Sequence, residues 1–373
     1  MSSIIKVDTI QLADGTAGTI ENLGLATGAL SHRNLIINGA MQVAQRGTSS
    51  TSTGYGSVDR FKLLKEGLGE FAFTQSQDTT SPDLFSHSFK IDTTTPESAS
   101  GSGDLIRVAQ NIEAQNLQHL GFGTSAAKSF TVSFWVRSSV TGTYAIHFYR
   151  PDNTARNITA NYSVSSADTW EYKTITIVGD TSQVVNNDNG EGMTLYWVLR
   201  AGSTFTASDA SSWENWDYTG LAYGHTADWG SATGNDFYLT GVQLEVGSVA
   251  TPFEHRSYSE ELARCQRYYR SYSRGVRDDN IGNLGTGYDV NTTLCDITLL
   301  LSPRMRTAPT LEYSSAAAIS IYDGSGHTTT AIVLDGSKTE QVLIRNTTSG
   351  LTSNVAATVN LINSNYIALD AEL

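Results

Sequence analysis

The chain has 373 residues, 39% of them hydrophobic, and carries 24 basic against 37 acidic side chains for a formal net charge of −13. So acidic a chain is poorly suited to general nucleic-acid binding, which works by neutralising phosphates, and it contains no apolar run long enough to insert into a membrane as a helix. With 42 Ser, 45 Thr and 33 Gly against a charged fraction of only 16%, the composition favours β structure with many turns, because Thr suits strands while Ser and Gly suit turns.

Residues 1–30 read as a separate segment. Ile5, Val7, Ile10 and Leu12 roughly alternate with polar residues and run into the turn signal Ala13-Asp14-Gly15-Thr16. Eight residues of strand bury no core alone, so this segment is expected to pair with another copy or dock on another protein. Its first residues, Met1-Ser2-Ser3-Ile4-Ile5-Lys6, lack the apolar stretch of a signal peptide, an expectation against Sec export.

From 31 to 256 the pattern is strand after strand. In Phe130-Thr131-Val132-Ser133-Phe134-Trp135-Val136-Arg137 the four residues Phe130, Val132, Phe134 and Val136 share one face. Similar runs cover 143–149, 172–178, 194–199 and 237–245, separated by Ser/Thr/Gly/Asp tracts such as 48–57, 76–83 and 92–104. The absence of βα alternation removes parallel α/β folds, and the fold class expected is all-β, an antiparallel jelly-roll-like β-sandwich. Asn111 to Leu120 is a short helix within it. At 257 the texture changes: Ser257-Tyr258-Ser259-Glu260 fits a capping box, and Leu262, Cys265, Tyr268, Tyr269 and Tyr272 follow at helical spacing. This predicts a linking α-helix over 257–277 of about four turns, carrying Arg264, Arg267, Arg270, Arg274 and Arg277. Such a helix places its arginines against acidic neighbours more often than on a polyanion. Residues 278–373 are strand-like again and make a smaller C-terminal β domain.

Catalytic motifs are missing: there is no G-x-S-x-G elbow, no Walker loop and no G-x-G-x-x-G opening a helix. The chain is therefore not expected to be an enzyme. The seven histidines form no H-x-x-x-H pair, and Cys265 and Cys295 exclude a four-cysteine zinc site and suit folding in a reducing cytoplasm. No cofactor or metal is expected. The oxygen-rich run 186–191 fails as an EF-hand, and Asn189-Gly190 reads as a hairpin turn between Val184-Val185 and Leu195-Tyr196, an irregular calcium site staying open. Four Asn-x-Ser/Thr triplets, at Asn157, Asn161, Asn291 and Asn346, follow from the Ser/Thr-rich composition.

The most informative cluster is Trp213, Trp216, Tyr218, Tyr223 and Trp229, five aromatics within 17 residues of an otherwise small and polar loop. Aromatic faces grip the C–H face of a sugar ring while neighbouring carboxylates and amides accept its hydroxyl hydrogens, so the cluster is a candidate glycan site. The competing reading has these rings plugging the end of the sandwich or packing against a neighbouring subunit.

Several stretches resemble bacteriophage tail-fibre and receptor-binding proteins, especially those of marine cyanophages. They are residues 34–47 followed by Val58-Asp59-Arg60-Phe61, residues 133–139 with Gly142-Thr143-Tyr144, and, most specifically, Leu239-Thr240-Gly241-Val242-Gln243-Leu244-Glu245-Val246-Gly247 with Ala250-Thr251-Pro252-Phe253-Glu254, running into 261–269. Met305-Arg306-Thr307-Ala308-Pro309 and the end Leu369-Asp370-Ala371-Glu372-Leu373 look familiar too, and Ile5 to Ile10 looks like the start of tail proteins that dock on a virion. The resemblance implies a homotrimer in the virion tail, folded in the host cytoplasm, joined to other tail proteins through its N-terminal segment. It implies adhesion to host surface polysaccharide or lipopolysaccharide. A purely structural virion protein, a connector or decoration without receptor binding, is the alternative. The choice of the Trp213–Trp229 loop rests on composition and not on the family.

Overall fold

The computed structural model describes residues 32–97, 101–273, 282–362 and 364–373, with the backbone of the short antiparallel pair Ile10–Gln11 and Ala17–Gly18. Ile5, Val7 and Leu12 lie outside the described residues. The chain is nearly all β, and every strand pairing among the described residues is antiparallel. Two six-stranded sheets face each other. The first runs Glu214–Asn215, Arg156–Val164, Gly142–Arg150, Glu191–Ala201, Leu105–Glu113, Lys62–Glu66. The second runs Glu171–Ile177, Phe130–Ser138, Asp236–Val246, Ser88–Thr95, Ala72–Asp78, Ser49–Ser50. Alternation decides which side chains enter the space between them: Phe130, Val132, Phe134 and Val136 come from one sheet, and Tyr144, Ile146, Phe148, Leu195 and Trp197 from the other. Trp197 sits at the centre, with Phe134 at 5.9 Å edge-on and Phe61 at 6.2 Å.

The stretches that resemble tail-fibre proteins turn out to be the clamp that closes this sandwich. The Asn34 side-chain oxygen accepts from the amides of Ile36 and Leu244, both at 3.0 Å, and its amide nitrogen donates to the Val242 carbonyl at 3.1 Å. Glu254 accepts from the Asn34 amide at 2.9 Å. Glu245 takes the amide and hydroxyl of Thr251 at 2.8 and 2.6 Å, with Gln243 donating to the same carboxylate. Gly39 is a glycine of necessity, since a Cβ there would lie 2.1 Å from the Val242 oxygen.

Three local expectations are corrected. The predicted helix at Asn111–Leu120 begins only at Ala114, as a 3-10 helix, because Asn111 and Glu113 are paired with Thr194 and Glu191 in the sheet. Asn189-Gly190 is not a hairpin turn: Leu195 and Tyr196 already pair with Gln110 and Ala109 on one side and Phe148 and His147 on the other, leaving no edge for Val184-Val185. The linking helix spans Tyr258–Gln266 and not 257–277. Ser257 caps it, accepting from the Glu260 amide at 3.3 Å. Beyond it Tyr269–Ser273 is a strand, since Tyr366–Asp370 offers it a full backbone partner from Tyr269↔Asp370 to Ser273↔Tyr366. Arg264 pairs with Glu260 and Arg267 forks onto Glu113 at 2.7 Å, whereas Arg270 donates to the Ser302 carbonyl; Arg274 and Arg277 lie outside the described residues.

The C-terminal strands form a three-stranded sheet, with Tyr366–Asp370 between Tyr269–Ser273 and Thr310–Tyr313, and a seven-stranded sheet. Between them lies a second core that includes Ile297, Ile319, Ile344, Val359, Ile367 and Leu369. Residues 370–373 weld it to the sandwich. Glu372 receives Arg60 and Arg46, while the Arg60 and Arg46 guanidinium groups lie 3.5 Å over the rings of Tyr268 and Tyr269. Lys62, Asn111 and Tyr55 all donate to the Leu373 carbonyl oxygen.

Candidate functional site

The loop carrying the aromatic cluster drapes over the outer face of the first sheet. Glu214–Asn215 pairs with Asn157 and Arg156 at that sheet's edge, and Arg156 donates to the Trp213 carbonyl at 2.9 Å and the Asn215 side chain at 3.0 Å. Asp217 then caps a single turn by accepting from the Thr219 amide at 2.9 Å. These bonds hold Trp216 out above the strand Gly142–Arg150.

The five rings do not form one platform. Trp229 is fully buried, edge-on to Phe71 at 6.1 Å, and is a core residue that faces no ligand. Trp213 is half-buried; its indole donates to the Val178 carbonyl at 2.7 Å and its ring packs 6.2 Å from Phe122, so it plugs the end of the sandwich. Tyr223 is half-buried, with its carbonyl held by the Asn161 side chain. Tyr218 is 52% exposed, edge-on to Phe205, and Trp216 is 38% exposed.

Around Trp216 the sheet supplies rings that the loop pattern alone does not show. Tyr149 lies 4.7 Å from it and His147 5.6 Å; His147 stands opposite Tyr196 at 5.9 Å, and the Arg107 guanidinium lies 4.9 Å over the Tyr196 ring. His147 and Tyr196 are register partners on neighbouring strands, as are Tyr149 and Thr194, so the strip crosses the sheet perpendicular to its strands. Arg107 is itself held by Glu66 at 2.6 Å. The signal for this strip was present in the alternation: Tyr149 and Tyr196 occupy outward positions of strands whose inward residues are Phe148 and Trp197.

Burial, with Arg107 adding to it, pushes the His147 pKa down to about 3, so the imidazole is neutral at physiological pH. Burial likewise pushes Tyr196 up to about 12 and raises Tyr149, each also under the influence of Glu191. The two phenols thus stay protonated and able to donate. A row of neutral rings with hydroxyl donors, edged by Glu66 and Glu191, can stack on the C–H face of a sugar and exchange hydrogen bonds with its hydroxyls.

No protein-family model matches the chain, and no curated protein matches it. Solved structures do. The enzymatically active domain of tailspike protein 4 from bacteriophage CBA120 matches at 13% identity over 61% of this chain and 24% of that one, with a TM-score of 0.33. A structure of the carbohydrate-binding module CBM4 matches at 10% identity over 56% of this chain and 98% of its own, TM-score 0.29. The family 11 carbohydrate-binding module of a Clostridium thermocellum cellulosomal cellulase matches at 8% identity over 56% and 98%, TM-score 0.27. This chain thus spans about a quarter of the tailspike domain and nearly the whole of the two modules.

Proposed function

We propose that this chain is a tail-fibre or receptor-binding component of a bacteriophage virion, attaching it to host surface polysaccharide or lipopolysaccharide through the Trp216 strip. The observation that carries the reading is the half-exposed Trp216 ring fixed over Tyr149 and His147, on a sheet and not on a free loop. The resemblance of residues 34–47 and 239–254 to phage tail proteins supports the virion setting. A homotrimer, docked on other tail proteins through its N-terminal segment, would present three such strips, and several weak sugar contacts acting together give firm attachment.

Adsorption competition tests this. Purified wild-type protein, its oligomeric state measured by light scattering, is added to host cells before the virus, with Trp216→Ala and Trp213→Ala alongside. Wild type and Trp213→Ala should block adsorption, and Trp216→Ala should not. If all three block equally, adhesion stands and the strip is the wrong surface. If well-folded protein never blocks, the chain is a structural connector or decoration protein.

A further inference from the structure

The second sheet carries a concavity of its own. A cleft of about 510 Å3 lies over the strands Phe130–Ser138 and Asp236–Val246, within the size range of pockets that take small molecules. One wall is Trp135 against Tyr172, register partners on neighbouring strands with ring centres 5.3 Å apart. The other is a trio: Phe85 meets Phe253 edge-on at 5.0 Å, and both meet His255, at 5.3 and 4.9 Å. Phe85 and Trp135 converge over Gly241, which has a φ of 61° and where a Cβ would lie 2.8 Å from the first ring and 3.0 Å from the second. At the lip, Leu84 is 86% exposed and holds a φ of 74°. Neither burial nor packing compensates that strained backbone, a situation that clusters at ligand clamps.

The polar groups of the third wall are already used. The Thr251 hydroxyl donates to Glu245 at 2.6 Å and accepts from the Arg33 guanidinium at 2.8 Å, and the Pro252 carbonyl accepts from Arg33. What remains of that wall toward the cleft is ring and hydrocarbon; Ser133 on the strand beneath and the exposed Asp83 and His255 at the edge also line it. A sugar hydroxyl turned to such a wall finds no partner, whereas a methyl group loses nothing there.

We propose that this cleft is a second carbohydrate site, resting on the glycan reading above, and that it takes a sugar ring bearing an apolar substituent: the methyl of a 6-deoxyhexose or of an N-acetyl group. The ring lies between the Trp135–Tyr172 and Phe85–Phe253 walls with its methyl toward Pro252. Trp216 and Trp135 then serve opposite faces of one sandwich.

The test uses full-length protein labelled with 5-fluorotryptophan, its six tryptophan 19F lines assigned by single Trp→Phe variants. Methyl α-L-rhamnoside, methyl α-L-mannoside (which differs only by the hydroxyl at C6) and the methyl glycoside of N-acetylglucosamine are titrated in, followed by fragments of host polysaccharide. The Trp135 line should move saturably with the rhamnoside or the N-acetyl sugar. The rhamnoside should bind at least about fourfold more tightly than the mannoside, the gain expected from one buried methyl. Tyr172→Ala should abolish that shift while the core lines of Trp197 and Trp229 stay in place. A Trp135 line that stays still while Trp216 responds overturns this site and leaves the Trp216 reading standing. So does a preference for the mannoside. If both lines stay still for every sugar and fragment, the glycan reading falls with it.

Discussion

Glu372 is a carboxylate shared by two arginines at the junction between the two β modules, and replacing it with Gln preserves its shape while removing its charge. It receives Arg46 and Arg60, whose side chains are 8% and 1% exposed. Burial works against the charge of each, yet the groups around them, Glu372 first, together more than offset this and hold both guanidinium pKa values above the ordinary one. With glutamine, Arg46 keeps Asp370 at 3.0 Å, whereas Arg60 keeps the Asn111 carbonyl at 2.8 Å and the Tyr268 ring. Arg60 thus becomes a buried cation without an anion in contact, a loss worth about 3–5 kcal/mol. Because Arg46 retains a partner, we expect the lower end, about 3 kcal/mol. Differential scanning calorimetry reads it: wild type should melt with both modules coupled, and Glu372→Gln should melt earlier, with the C-terminal module separating as its own transition. An unchanged single transition would refute the assignment of Glu372 as the coupling group.

Acid should destabilise the fold already between pH 6 and 4. Burial depresses His147 to about 3 and His225 to about 4, so the native state refuses protons that the unfolded chain accepts near 6.5; that stability is present above pH 6.5 and is lost as pH falls, about 1.4 kcal/mol per unit for each histidine. Asp59, raised by burial to about 6, runs the other way: its contribution is complete below about 3.8 and is lost as pH rises through 6. One histidine's worth of loss, about 1.4 kcal/mol per unit, therefore remains between pH 6 and 4. Urea midpoints across that range should fall in the wild type and stay about level in His147→Gln, where His225 and Asp59 cancel; a flat wild-type series contradicts the scheme. Trp229→Ala should cost about 3–5 kcal/mol as a core deletion, whereas Trp216→Ala should cost about 1 kcal/mol or less in stability; chemical denaturation of the two variants separates the core ring from the surface ring, and similar losses would undo the distinction.

The all-β class and most strands were legible because alternation and burial agree there, as in Phe130–Ser138 and Asp236–Val246. Strands with polar outward faces were harder: Ala72–Asp78 and Ser88–Thr95 overlap tracts that read as loops, since Thr, Ser and Gln serve strands and turns alike. The overlong helix has a comparable cause. Cys265, Tyr268, Tyr269 and Tyr272 match helical spacing, and only the distant strand Tyr366–Asp370 decides that Tyr269–Ser273 extends. At the candidate site, composition located Trp216 but grouped it with Trp229, whose burial depends on Phe71. The partners of Trp216 come from other strands, and the rings of the Trp135 cleft come from four separate stretches of chain. Topology alone unites them.

The clamp on Asn34 has a consequence for how the molecule is made. Its partners Val242 and Leu244 lie 208 and 210 residues downstream, and Glu254 lies 220 downstream. During synthesis the first sandwich residues emerge long before anything exists to hold them, and closing so long a loop is slow, on the millisecond-to-second scale of strand-rich folds. Through that interval the nascent strands expose unpaired edges, the period when chaperones and neighbouring chains compete for them. A polypeptide ending just short of Glu254 would keep the Asn34 bonds to Val242 and Leu244 but lose the carboxylate that holds the Asn34 amide.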